Sequence, residues 1–185
     1  MAEQLSNLKA KRKLISIRRK EIDERRIQAF LLDYSEDLIL VQYVYDFILD
    51  GLMVLRRSDI SEMKSDKTDL LQTKILKDEG LYSKVDFNIE CDLNSWGSVL
   101  STLGSRYRFI TIEDENPKYP LFYLGEMHAT ETESVSIIGF SGAANWDDEV
   151  SVIYYEDISC VQFGNNYVNV YERYFERNAL TKPSI

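Results

Sequence analysis

The residues able to do covalent chemistry are few: one histidine, His128, and two cysteines, Cys91 and Cys160. A Cys–His nucleophile pair would need His128 beside one of those thiols. Both cysteines fall in strand-like runs, where a cysteine behaves as a small buried hydrophobe. The run ISCVQF predicts a strand through Cys160 and no catalytic role for its thiol. A zinc site needs three or four nitrogen or sulfur ligands, and the three available are widely scattered. Asp46 and Asp50 flank FILDG, but D-x-x-x-D-G lacks the alternating oxygens of a calcium loop. No glycine-rich phosphate loop and no G-x-S-x-G elbow occurs. The expectation is a chain that is not an enzyme and holds no metal or cofactor. An enzyme built on clustered carboxylates is the least favoured reading.

Two acidic segments are candidate contact surfaces. Glu113, Asp114 and Glu115 read as a charged loop running to Pro117. In SGAANWDDE (141–149), Trp146 stands next to Asp147, Asp148 and Glu149. An exposed Trp ringed by acids would anchor a basic partner. Alternatively, Trp146 folds back and caps the core.

Charge is unevenly spread. Residues 1–26 carry nine Lys/Arg against four acids, a net of +5. The whole chain is at −9, so the remainder carries −14. An acidic body repels nucleic acid and attracts basic partners. The basic leader, with Lys11, Arg12, Lys13, Arg18 and Arg19, is the natural phosphate contact if the partner is RNA. Without a long apolar run or a signal-peptide core, the chain reads as reduced and cytoplasmic.

These residues need elements to position them. Residues 3–13 suit a short helix with Leu5 and Leu8 on one side, and 13–22 is ambiguous. IQAFLLDY and LILVQYVY read as strands joined through Ser35-Glu36-Asp37, the second apolar on both faces. Asp50-Gly51 offers a turn before LMVLRR. Residues 66–80 read as a helix capped by Asp66 or Thr68, with a Leu71, Ile75, Leu76 stripe and Gly80 at its end. Val85, Phe87, Ile89 and Cys91 alternate like a half-buried strand. Residues 94–104 give the clearest helix, with Trp96, Val99, Leu100 and Leu103 at helical spacing. FITI, LFYLGEM, SVSIIGF, VSVIYY, CVQF and YVNVYERYF complete a series of strands, and the tail after Arg177 reads as frayed.

The chain also echoes itself. DGLMVLRRSDISEM (50–63) aligns without gaps to DEVSVIYYEDISCV (148–161), an offset of 98. The shared D-I-S would fix a sharp corner, because Asp and Ser bond nearby backbone amides. The expectation places Val54 over Val152 and Ile60 over Ile158, all facing inward. These blocks resemble the Sm-like and SH3-like small barrels, in which five bent strands often follow a helix. The resemblance implies an α+β, mainly β fold of two barrel-like halves: a leader over 1–26, a first half over 27–108 and a second over 109–185. It carries no RNA-binding residue to any position, since the Asp and Asn pattern and the Arg-Gly pair of Sm-like sites are not found.

The function expected is a protein-interaction module presenting an acidic, aromatic-rich surface to a basic protein. An immunity-type inhibitor is one form of it. The alternative is an Sm-like RNA-associated protein that uses its leader.

Overall fold

The computed structural model describes residues 2–183. The fold is mainly β, with four α-helices around one antiparallel sheet. The strands are β1 (Leu14–Arg19), β2 (Asp23–Tyr34), β3 (Leu38–Tyr45), β4 (Ile48–Arg56) and β5 (Glu62–Lys64), then β6 (Phe109–Asp114), β7 (Leu121–Thr130), β8 (Ser134–Phe140), β9 (Trp146–Tyr154) and β10 (Cys160–Phe163). The helices are α1 (Ala2–Lys11), α2 (Lys67–Asp78), α3 (Trp96–Leu103) and α4 (Asn166–Arg177). The ten strands lie in the order β5-β1-β2-β3-β4-β10-β6-β7-β8-β9. The sheet is open: β5 and β9 are its edges.

Alternating residues sort the core onto two faces. Leu38, Leu40 and Val44 of β3 join a large cluster with Ile110, Ile112, Val161 and Phe163, covered by α2, residues 81–93 and α3. Ile39 and Val41 point the other way, into a cluster with Ile15, Ile17, Leu31 and Leu55 that Leu5 and Leu8 of α1 cover. On that second face, the far half of the sheet carries Phe109, Leu124 and Phe140 under Val168 and Phe175 of α4. The sequence pattern therefore placed LILVQYVY correctly as a strand covered on both sides.

Several local expectations held for their stated reasons. Asp66 caps α2, accepting from the Thr68 and Asp69 amides, while Asp69 reaches back to the Asp66 amide. Ser95 caps α3, whose Trp96, Val99, Leu100 and Leu103 are all buried.

Others need correction. YVNVYERYF is helical: Asn165 caps α4 through the Val168 amide, and Val168, Tyr171 and Phe175 form its inner stripe. The V-N-V alternation masked that 3–4 spacing. The turn before β4 is Asp46-Phe47, both at positive φ (45° and 64°), as mirror-image hairpin turns require. Gly51, at φ 76°, lies inside β4. It supplies a close approach there, since a Cβ would collide with the Phe163 carbonyl and the Asn165 amide. Residues 85–91 form no strand, yet Val85, Phe87, Ile89 and Cys91 all pack onto the large cluster. On α2 the buried positions are Asp69, Thr73 and Leu76, and Leu71 is exposed. Residues 178–183 fold back, with the Leu180 amide on the Phe175 carbonyl and Lys182 on Glu126. The rest of the expected frayed tail, and Met1 of the leader, lie outside the described residues.

The leader is no separate segment. Its described residues form α1, β1 and the start of β2, and the expected boundary at residue 27 falls inside β2. The echo also needs a correction in its facing. Val54 is fully buried, but Val152 is 53% exposed, and it is the neighbouring Ile153 that enters the core.

Candidate functional site

The residues expected to form contacts fall into two places. The first is a groove on the α1/α4 face, between the two apolar clusters there. It encloses about 440 Å³, with Arg19, Tyr43, Met53, Glu113, Glu115, Cys160 and Gln162 in its lining. Strand register assembles it: Cys160 pairs with Glu113 of β6, and Gln162 with Thr111. Glu113 and Asp114 are therefore strand residues, not loop acids. Glu115 takes a bidentate ion pair from Arg19, with one arm at 2.7 Å, and accepts from the Ser159 hydroxyl at 2.7 Å. Burial works against the Arg19 charge, and Glu115 more than offsets it. Burial pushes the Glu113 carboxyl up, while the Gln162 amide, at 2.7 Å, pulls the other way. Burial also drives the Cys160 thiol well above its usual range. A thiol held protonated is a poor nucleophile, and His128, on β7, is exposed. Among the described residues no three His, Cys, Asp or Glu cluster to hold a metal.

Of the leader's candidate phosphate contacts, Arg19 is thus committed to Glu115. Arg18 lies 3.6 Å from Glu62. Arg12 stacks over Phe87 at 5.0 Å and reaches Asn88. Lys11 and Lys13 are exposed.

The second place is the β9 edge. Trp146 takes the packed position, its ring 5.1 Å from that of Phe175 and 5.7 Å from that of Phe140. Its indole nitrogen is buried and has no hydrogen-bond partner among the described residues. Asp147, Asp148 and Glu149 are exposed and lie in β9 itself, not in a loop. Among the described residues only β8 pairs with this strand, which leaves its outer backbone groups open. Val152 and Tyr154 are 53% and 54% exposed on it.

Sequence reasoning missed the reach of this acidic region. From Tyr119 to Glu172 there are nine acids and no Lys or Arg. That stretch holds β7, β8, β9 and β10. The signal was available as a run length rather than as a motif. The opposite edge differs: around β5 stand Arg18, Lys20, Arg57, Lys64 and Lys67. Glu62 of β5 is tied to Lys64 at 2.9 Å. Beside β5 a cavity of about 390 Å³ is lined by Leu5, Arg57, Ile60, Met63 and Lys64.

Within the described residues no helix is long and apolar enough to cross a membrane. No protein-family model matches the chain, and no curated protein or solved structure matches it either.

Proposed function

We propose that this protein is a non-enzymatic interaction module whose acidic β9 edge takes an extended, basic segment of a partner protein. The observation that carries it is one open edge strand inside a stretch without a single Lys or Arg. An unpaired strand offers a row of backbone donors and acceptors, which an added strand completes. The acids select for positive charge, chiefly through the rate of encounter. Val152 and Tyr154 supply apolar contact beside them. An immunity-type inhibitor of a basic toxin is one form this takes. The groove serves as internal scaffolding, since its carboxylates are engaged by Arg19, Ser159 and Gln162.

The architecture behind it is two versions of one five-strand unit. The strand order supports this, reading fifth-first-second-third-fourth in each half. So does the D-I-S corner. The Ser61 amide and hydroxyl reach the Arg18 carbonyl, and the Lys20 amide returns to the hydroxyl. The Ser159 amide and hydroxyl reach the Glu113 carbonyl, and the Glu115 amide returns likewise. Strands β4 and β9 span the same positions at the offset of 98. In this reading Leu55 matches Ile153, both buried, and Val54 matches Val152, of which only Val54 is covered.

The test is titration of a labelled Lys/Val-alternating peptide by fluorescence anisotropy, with a Glu/Val peptide and mixed RNA as controls. The Lys/Val peptide should bind, more weakly as salt rises, and Asp147→Lys with Asp148→Lys should abolish it. Tight RNA binding lost on deleting residues 2–12, without peptide binding, would overturn the reading in favour of the RNA-associated alternative.

A further inference from the structure

The interaction reading leaves the partner strand unnamed, and the chain itself contains a second open edge with basic residues nearby. The two open edges are not alike. One is β9, the fourth strand of its half, and the other is β5, the fifth strand of its half. The molecule already joins one such pair internally, because β4 and β10 run antiparallel at the centre of the sheet. That junction pairs Leu55 with Cys160, Val54 with Val161 and Met53 with Gln162. The Arg56 amide extends it to the Ser159 carbonyl.

We infer that a second copy of this chain docks its β5 edge on β9, repeating the internal junction between molecules. The inference rests on the interaction reading and names the partner strand. Shifting the internal register by 98 on both strands gives the contact. Ile153 falls opposite Glu62 of the second copy, Val152 opposite Met63, and Ser151 opposite Lys64, while Lys67 follows β5 at the start of α2. The Val152–Met63 pair is matched in kind, and Ile153 turns into its own core. Val152 is 53% exposed and gains an apolar neighbour in Met63, which lines the β5 cavity. The β9 side has acids and no Lys or Arg, while around β5 Lys20, Arg57, Lys64 and Lys67 stand among Asp59, Glu62 and Asp66. The two edges are different surfaces, so the contact is head to tail. Each docked copy leaves one fresh β9 and one fresh β5, and the assembly grows until it closes as a ring or continues as a filament.

The experiment is light scattering on the full chain from low micromolar to near-millimolar concentration. The mass should rise from the 21.6 kDa monomer past twice that value. Val152→Asp blocks β9, and Lys64→Asp with Lys67→Asp blocks β5. All three positions are exposed, and circular dichroism melts check that the variants fold. Each blocked protein should need at least about tenfold more concentration to associate, a loss of roughly 1.4 kcal/mol. Mixing the two should yield a one-to-one dimer and nothing larger, since only one intact β9 and one intact β5 remain. A monomer at every concentration overturns the inference. If the Lys/Val peptide still binds that monomer, the interaction reading stands without it. A dimer that the β5 variant does not weaken also overturns the inference, because it would use one surface twice.

Discussion

Strands β4 and β9 are each nine residues long and stand fifth and tenth in the sheet order, yet they live in different surroundings. Strand β4 has β3 on one side and β10 on the other. The α2/α3 layer covers its Leu52 and Val54, and the α1 face covers its Met53 and Leu55. Among the described residues strand β9 has β8 alone, and Val152 and Tyr154 are left half exposed. Val54 of β4 is a core residue and Val152 of β9 a surface residue. A strand's pattern sets which way each side chain points; burial is then decided by what the rest of the chain lays over it. The open position is the one placed in the acidic region, so the difference is where interaction is to be sought.

The sharpest way to stress the comparison between halves is at the ion pair that links them. Arg19→Ala strands the Glu115 carboxylate, whose side chain is only 18% exposed. It should cost about 3–5 kcal/mol in urea denaturation. Arg18→Ala, next door with a solvent-exposed partner, should cost less than about 1 kcal/mol. Equal costs would mean that Arg19 is not committed to Glu115.

Next come the strands themselves. Leu55 is fully buried, and Leu55→Ala should cost about 2–5 kcal/mol through lost burial and a cavity. Val152→Ala should stay within about 0.5 kcal/mol in the monomer. A large loss at Val152 would show the β9 face to be covered.

The two corner serines make a smaller contrast. Ser159 is 8% exposed and holds the Glu115 amide and carboxylate. Ser159→Ala should cost about 1–3 kcal/mol by leaving buried polar groups unpaired. Ser61 makes the matching bonds at an exposed site, where water replaces them, and Ser61→Ala should cost less.

The smallest effect is a pH dependence. Burial raises the Glu113 carboxyl in the folded state. Its stabilising contribution is therefore full below the unfolded-state value and is lost as pH rises through the folded-state value. Glu113→Gln removes that loss. Melting temperatures followed from about pH 4 to about pH 8 should fall less with rising pH in the variant than in the parent. An unchanged slope would mean that Glu113 titrates as it does in the unfolded chain.

Much of the fold could be read from the residues, because both β3 and α3 carry apolar periods that only one element satisfies. The failures have physical causes. Residues 85–91 alternate inward and outward as a strand does, but no neighbouring strand pairs with them. In α4 two valines at i and i+2 imitate a strand, although the buried set is spaced three and four apart. Burial of Glu113 and Arg19 was invisible because each is charged, and the Arg19–Glu115 contact joins the ends of two strands that stand five places apart in the sheet order. The β9 acids were legible as acids. That they lie on an open edge is a property of topology, which local patterns do not carry.

The most direct test of the account is amide hydrogen exchange along residues 146–154, in dilute protein with and without the Lys/Val peptide. An edge strand protects only the amides that face its single neighbour. The account predicts that the outward half of these amides exchanges freely in the dilute chain and slows when the peptide is added, while β4 is protected throughout. Protection of all β9 amides in the dilute chain, or no change on adding the peptide, would contradict it.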